Sequence, residues 1–160
     1  MSRKFQESHL VPRSLPRLDG IVEKLESSAH VADVGCGATT STVTMANAFP
    51  NSRFSGSDIS LHALNRARLN VGAVGAKNTH LHNAIDHPLP EDGSLDLVTT
   101  FDVIHDSTHP EGLINAIRRS LKPDGICLCA DIQGKPTFAE NKSDHPIATI
   151  AYSFSVLVCM

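Results

Sequence analysis

The chain predicts a doubly wound α/β fold, a mostly parallel sheet with helices on both faces. Short apolar runs alternate with segments of helical periodicity, a glycine-rich turn joins the first run to a helix, and polar residues close successive runs. Strands separated by helices of roughly ten to seventeen residues pair in parallel through right-handed crossovers. At 160 residues the chain fits a single domain 1–160, and a domain of this size buries roughly 70% of the surface its unfolded chain exposes.

From Leu15 the apolar residues Leu18, Ile21, Val22 and Leu25 recur at spacings of three and four, which predicts an amphipathic helix ending at "ESSAH". "HVADV" is a first strand stopped by Gly35, and "TVTMANAF" resumes helical spacing until Pro50. "SRFSGSD" is a second strand ending in Asp58, followed by a helix with Ser60 as its N-cap and Gly72 and Gly75 near its end. "THLHNA", "LDLVTTF" and "GICLCADI" are the third, fourth and fifth strands, with the helix "EGLINAIRRSL" before the last and "KPDG" as the turn between that helix and strand. Arg118, Arg119 and Lys122 fall where a helix dipole favours cations, a structural placement rather than a basic binding patch. The core is expected over about residues 15–131, with a loop and an apolar terminal helix in 132–160.

Composition excludes several classes of function. With 41% hydrophobic and 19% charged residues and a net charge of -3, nothing draws the chain to nucleic acid or anionic lipid. "MSRKFQESHL" has no apolar run behind its cations, so the expected location is cytoplasmic, and "IATIAYSFSVLVCM" is shorter than the roughly 20 residues of a membrane span. "LVPRS" matches part of an expression-tag protease site but runs straight into a helical pattern. Cys36, Cys127, Cys129 and Cys159 are too few and too irregular for a disulfide framework and are expected to be small apolar side chains.

The stretch "VADVGCGATTST" carries the functional signal. In open parallel sheets the ligand crevice lies at the carboxyl ends of the strands. Gly35 and Gly37 follow the first strand there and precede a helix, while Asp58 ends the second strand 21 residues beyond Gly37, where an acid pairs with ribose hydroxyls. A dinucleotide loop GxGxxG needs a third glycine where Thr40 stands. A GxGxG loop needs it where Thr39 stands, but its usual acid two residues before the first glycine is present as Asp33. Asp33 as a cap of the glycine turn and Asp58 as a helix N-cap are the plain structural alternatives.

"VADVGCG", "FSGSDIS", "DLVTTFDVIHD" and "LKPDG" stand in the order and at about the spacing of class I S-adenosylmethionine-dependent methyltransferases, which the chain resembles from about Leu15 to Asp131. "STVTMANAFPNSRFSGSDIS" and "FDVIHDSTHPEGL" resemble a branch of small-molecule-type enzymes that carries an upstream winged-helix domain, absent from this sequence. The resemblance implies S-adenosyl-L-methionine as cofactor and a Rossmann-like sheet. It implies that Asp33, Gly35 and Gly37 line the methionine part, that Cys36 contributes backbone contacts, and that Phe101 lies near the methyl group. It further implies that Asp58 binds the ribose, that Ile59 lies against the adenine, and that Asn83 and Ala84 take the position of an Asp-Ala pair whose acid accepts from the adenine amino group.

Thr100, Phe101, Asp102, His105 and Asp106 follow the fourth strand and would face the methyl group. His105 is the candidate general base, because an imidazole titrates near neutrality. His105 and His109 lie four apart beside Asp106, but no third ligand supports a metal site, so none is expected. His80 and His82 share one face of a half-buried strand. The resembled fold has two further strands after the fifth, expected to be missing here, which would leave the fifth strand and the terminal helix as surfaces for self-association. Three functions follow: a methyltransferase acting on a small-molecule acceptor, a truncated cofactor-binding pseudoenzyme without turnover, and, against the GxGxxG mismatch, a nicotinamide-dependent oxidoreductase.

Overall fold

A computed structural model describes residues 6–144 and residue 150. A π-helical segment, Gln6–Ser14, and a 3-10 turn, Leu15–Arg17, lead into α1 (Ile21–Ser27), β1 (His30–Val34) and α2 (Thr40–Ala48). Then follow β2 (Arg53–Asp58), α3 (Leu61–Val74), β3 (Thr79–Asn83) and β4 (Leu95–Phe101). A short 3-10 turn, Ile104–Asp106, precedes α4 (Pro110–Ser120), β5 (Leu121–Ala130) and α5 (Phe138–Asp144). The single helix expected from Leu15 is interrupted, because Gly20 adopts a left-handed φ of 68° and α1 starts only after it.

The five strands are ordered β3-β2-β1-β4-β5, and every described pairing is parallel. The order reverses at β1 and β4, so the loops after these strands flank the switch point where open α/β sheets bind ligands. Alternation along β1 directs Val31 and Asp33 to one face and Ala32 and Val34 to the other. On the first face Val31, Phe54 and Leu97 pack with Leu15, Ile21, Leu25, Met45 and Ala46, all buried. On the second, Ala32, Val34, Leu95 and Val98 pack with Ile117 and Leu113 of α4. Helices therefore cover both faces, as the alternating pattern predicts.

The expected "KPDG" turn is an excursion inside β5. Leu95 pairs with Leu121 and Leu97 with Ile126, so residues 122–125 loop out of register. Two polar ties hold that excursion. Lys122 Nζ donates to Asp96 Oδ1 at 2.8 Å and Lys24 Nζ to Asp124 Oδ2 at 2.7 Å. Asp96 Oδ2 also accepts the His30 amide at 2.9 Å, joining β4 to the start of β1. Arg119 pairs with Glu91 at 3.0 Å, in keeping with a structural place for the basic end of α4.

Cys36 is buried as expected, but Cys127 and Cys129 are exposed on β5, the outermost strand among the described residues. Cys159 and the apolar terminal helix, except Ile150, lie outside the described residues.

Candidate cofactor and active site

The glycine loop begins where β1 ends. Gly35 has φ 65° and Gly37 φ 53°, the left-handed region that residues with a Cβ seldom adopt. Space enforces the same choice at Gly35, where a Cβ would lie 2.4 Å from Val103 Cγ2. The loop is thereby pressed against the turn that follows β4. Thr39 is the position at which the glycine pattern lapses, and it keeps the glycine conformation: φ 65°, ψ 26°, fully buried. Its hydroxyl donates to the Ala38 carbonyl at 2.6 Å and its amide to the Cys36 carbonyl at 2.8 Å. A β-branched residue in this region carries strain on the order of 1 to 3 kcal/mol.

Asp33 is sealed behind the loop at 1% exposure. Its Oδ2 accepts from Ser41 Oγ at 2.9 Å and Thr42 Oγ1 at 2.5 Å, and its Oδ1 from Thr99 Oγ1 at 2.8 Å. One carboxylate thus ties β1 to the first turn of α2 and to β4. Burial pushes its pKa up, against the pull of the Thr42, Thr99 and Ser41 hydroxyls. Asp33 faces these hydroxyls and does not line the cleft described below.

Asp58 occupies the carboxyl end of β2 and faces the loop. Its Oδ2 accepts the Gly37 amide at 2.9 Å and its Oδ1 the Ser60 amide at 2.8 Å. Ser60, not Asp58, caps α3, accepting the Ala63 amide at 3.2 Å, so the helix-cap alternative for Asp58 does not hold. A carboxylate has about four lone-pair sites, and two backbone donors leave each oxygen able to accept another hydrogen bond.

A cleft of about 400 Å³ opens at this end of the sheet, within the range of small-molecule sites. Gly35, Asp58, Ile59 and Ala84 line it, with Asp102, Val103, Asp106 and Ser107 from the turn after β4. Ile59 is 71% exposed, an apolar side chain held at the mouth. Asn83 lies just behind Ala84, and its Oδ1 accepts the Ile85 amide at 2.8 Å. A second hollow of about 360 Å³ adjoins the cleft, sharing Val34, Ser57, Ala84 and Leu113 with it.

Besides Asp33, Gly37 and Asn83, four more of the anticipated residues are absent from the cleft wall. Cys36 is 7% exposed, its thiol packs against Gly56, and its amide donates to the Ser57 carbonyl at 2.9 Å. Burial, with Asp33 and Asp58 nearby, raises its thiol pKa far above the ordinary value. Phe101 packs with the core cluster on the α1–α3 face. Thr100 is fully buried, and its hydroxyl has no hydrogen-bond partner among the described residues. His105 is absent from the cleft wall, whereas its neighbour Asp106 forms part of it.

His105 has an unanticipated partner. Its Nδ1 is hydrogen-bonded to Asp131 Oδ1, and its Nε2 lies 3.2 Å from Asp106 Oδ1. Asp131 Oδ2 also accepts the Ile104 amide at 2.9 Å and the His105 amide at 3.3 Å. Burial opposes ionisation of Asp131, but the Ile132 amide and His105 outweigh it and hold its pKa below the usual carboxylate value. The available signal for this partner was topological: Asp131 directly follows β5, beside the end of β4. No group of three metal-ligating side chains occurs among the described residues.

A family model described as a methyltransferase domain matches residues 25–154. The ubiquinone biosynthesis O-methyltransferase of Vibrio parahaemolyticus is 30% identical over 112 residues, covering 68% of this chain and 47% of that protein. The chain thus spans about half the length of that relative. Among solved structures, a SAM-dependent methyltransferase from Aquifex aeolicus is 15% identical with a TM-score of 0.61, covering 99% of this chain and 88% of that one. PKMT2 from Rickettsia typhi in complex with AdoHcy is 24% identical with a TM-score of 0.59, covering 64% and 20%. These structures share the fold. The family match decides against the nicotinamide alternative, whose sheets share this strand order: the chain belongs to the methyltransferase-domain family and has the Rossmann-like fold of the class I S-adenosylmethionine-dependent methyltransferases.

Proposed function

We propose that the cleft binds S-adenosyl-L-methionine and that the protein transfers a methyl group to a small-molecule acceptor. The observation that carries this reading is Asp58, ionisable, oriented by two backbone amides and lining a cleft together with Gly35 and Val103. The residues fit the cofactor: a diol needs two acceptors side by side, and each Asp58 oxygen keeps acceptor capacity. When bound, the cofactor supplies a sulfonium methyl group open to in-line displacement.

The chain's own residues then bind and orient. Asp58 holds the ribose, Ile59 and Ala84 form the adenine wall, and Gly35 and Gly37 let the backbone approach the methionine part. Asn83 retains one acceptor lone pair for the adenine amino group beside its bond to Ile85. Asp33, Cys36 and Phe101 act from behind the wall, holding the loop and β4 in place. Holding nucleophile and methyl group together supplies several kcal/mol, up to roughly 7 to 11 in well-oriented reactions. His105 serves as general base where the acceptor arrives protonated, worth on the order of 10² to 10⁴ fold.

No described helix is long and apolar enough to cross a membrane. We assign the protein to the cytoplasm with no nucleic-acid partner, and propose β5, the outermost strand among the described residues, as a surface for self-association. Thermal unfolding with saturating S-adenosylmethionine, S-adenosylhomocysteine or NADH tests the cofactor assignment. Ligand at about 100 times its Kd stabilises by about 2.7 kcal/mol, so the first two should raise the midpoint and NADH should not. A shift with NADH alone would overturn the assignment.

A further inference from the structure

We infer that a basic hollow at the amino end of the sheet is a second ligand site, separate from the cofactor cleft, and that it takes a phosphomonoester group. The hollow has a volume of about 290 Å³, and His30, Arg53, Lys77 and His80 line it together with the polar side chains of Ser28 and Asn51. It lies where β1 and β2 begin, whereas the cleft lies where they end, a strand's length of roughly 13 to 17 Å away. The sheet itself gathers the cations. His30 pairs with Arg53, Ala32 with Ser55 and Ser55 with His80, so the pleat turns His30, Arg53 and His80 to one face. Lys77 joins them from the turn before β3. Two cations directly opposite each other on neighbouring strands destabilise a sheet, and an anion between His30 and Arg53 reverses that sign.

The nearby acids are committed elsewhere. Asp96 accepts from Lys122 at 2.8 Å and from the His30 amide at 2.9 Å, and Asp124 is held by Lys24 at 2.7 Å. No carboxylate lines the hollow, and neither Arg53 nor Lys77 forms an ion pair among the described residues. In a chain of net charge -3 this is a local excess of positive charge. The floor is rigid. Ser52, 2% exposed, donates to the Leu25 carbonyl at 2.6 Å and accepts the Ala29 amide at 2.8 Å, while Asn78 Nδ2 donates to the Ser52 carbonyl at 2.9 Å. Pro50 is the single apolar residue in the lining, so the ligand is polar. A guanidinium fork, an ammonium point charge and neutral donors around one space match the several acceptor oxygens of a phosphoryl dianion.

Proton–nitrogen NMR titration of the full chain at pH 7.5 in chloride buffer tests the site with inorganic phosphate, glycerol 3-phosphate and glycerol. Both phosphates should saturate at millimolar concentrations and shift amides in 28–30, 51–53 and 77–80, and glycerol should shift none. Arg53→Gln and Lys77→Gln should each weaken both phosphates by about fivefold or more, the effect of one unit charge about 4 Å away in water. Arg66→Gln removes the same charge from the exposed side of α3, outside the hollow, and should leave both affinities unchanged. Sedimentation with vesicles containing phosphatidic acid separates the sources: binding lost in the Arg53→Gln, Lys77→Gln double variant assigns the group to a lipid headgroup, and glycerol 3-phosphate binding without sedimentation assigns it to a soluble ligand. Shifts that do not saturate, affinities unchanged in Arg53→Gln and Lys77→Gln, or an equal loss in Arg66→Gln would overturn the site. The titration uses no cofactor, so its outcome is independent of the methyltransferase reading.

Discussion

Asp58 Oδ2 accepts the Gly37 amide at 2.9 Å, tying the end of the second strand to the glycine loop that follows the first. The carboxylate proposed to take the ligand is therefore also a group that ties down the loop. Its Oδ1 is fixed by the Ser60 amide, so the side chain has little freedom to lose on binding. Orientation before binding is the property a diol-binding carboxylate needs.

Thr39→Gly should stabilise the protein by about 1 kcal/mol, because glycine removes the left-handed strain at a cost of one buried methyl group. Urea unfolding of both proteins measures the difference. A loss of stability would mean that the Thr39 hydroxyl bond to Ala38 and its packing outweigh the strain.

Asp33→Ala should destabilise by about 3 kcal/mol, since the hydroxyls of Ser41, Thr42 and Thr99 lose their common acceptor. Asp33→Asn tests the charge separately. Burial raises the Asp33 pKa, so the fold penalises its ionised form. The contribution is most favourable below the unfolded value of about 4 and is lost as the pH rises through the raised folded value. The stability of Asp33→Asn relative to wild type should therefore increase from pH 4 to pH 7.5 in denaturant titrations at both. A flat difference would contradict a penalty on the charge.

Thr100→Val should stabilise by about 1 kcal/mol, because it replaces a fully buried hydroxyl, without a partner among the described residues, by a methyl group of similar size. Thermal and chemical unfolding both report the change. A destabilised variant would show that the hydroxyl is hydrogen-bonded in solution.

Much of the fold was legible because its signals are local. Gly35 closes β1, Ser60 caps α3, and strands alternating with helices announce a sheet covered on both faces. Asp58 was legible as a site residue because strand ends converge in a parallel sheet. What escaped depends on facing across elements. Asp33 matches a motif position, yet its direction is set by the β1 pleat, which turns it toward Thr99 and α2. Phe101 is turned to the core in the same way, leaving the wall to Asp102 and Val103. Asp131 stands 26 residues from His105 and meets it only because β5 pairs with β4. The excursion at "KPDG" has a turn's composition, but its register follows from the pairing of Leu121 with Leu95.

Calorimetric titration of the wild type and Asp58→Ala with S-adenosylhomocysteine, with NADH in parallel, tests the cofactor cleft most directly. The cleft as described predicts saturable binding of S-adenosylhomocysteine, none of NADH, and a loss on the order of 2 to 5 kcal/mol in Asp58→Ala. Absence of saturable binding at millimolar ligand, or equal affinity in the two proteins, would contradict it.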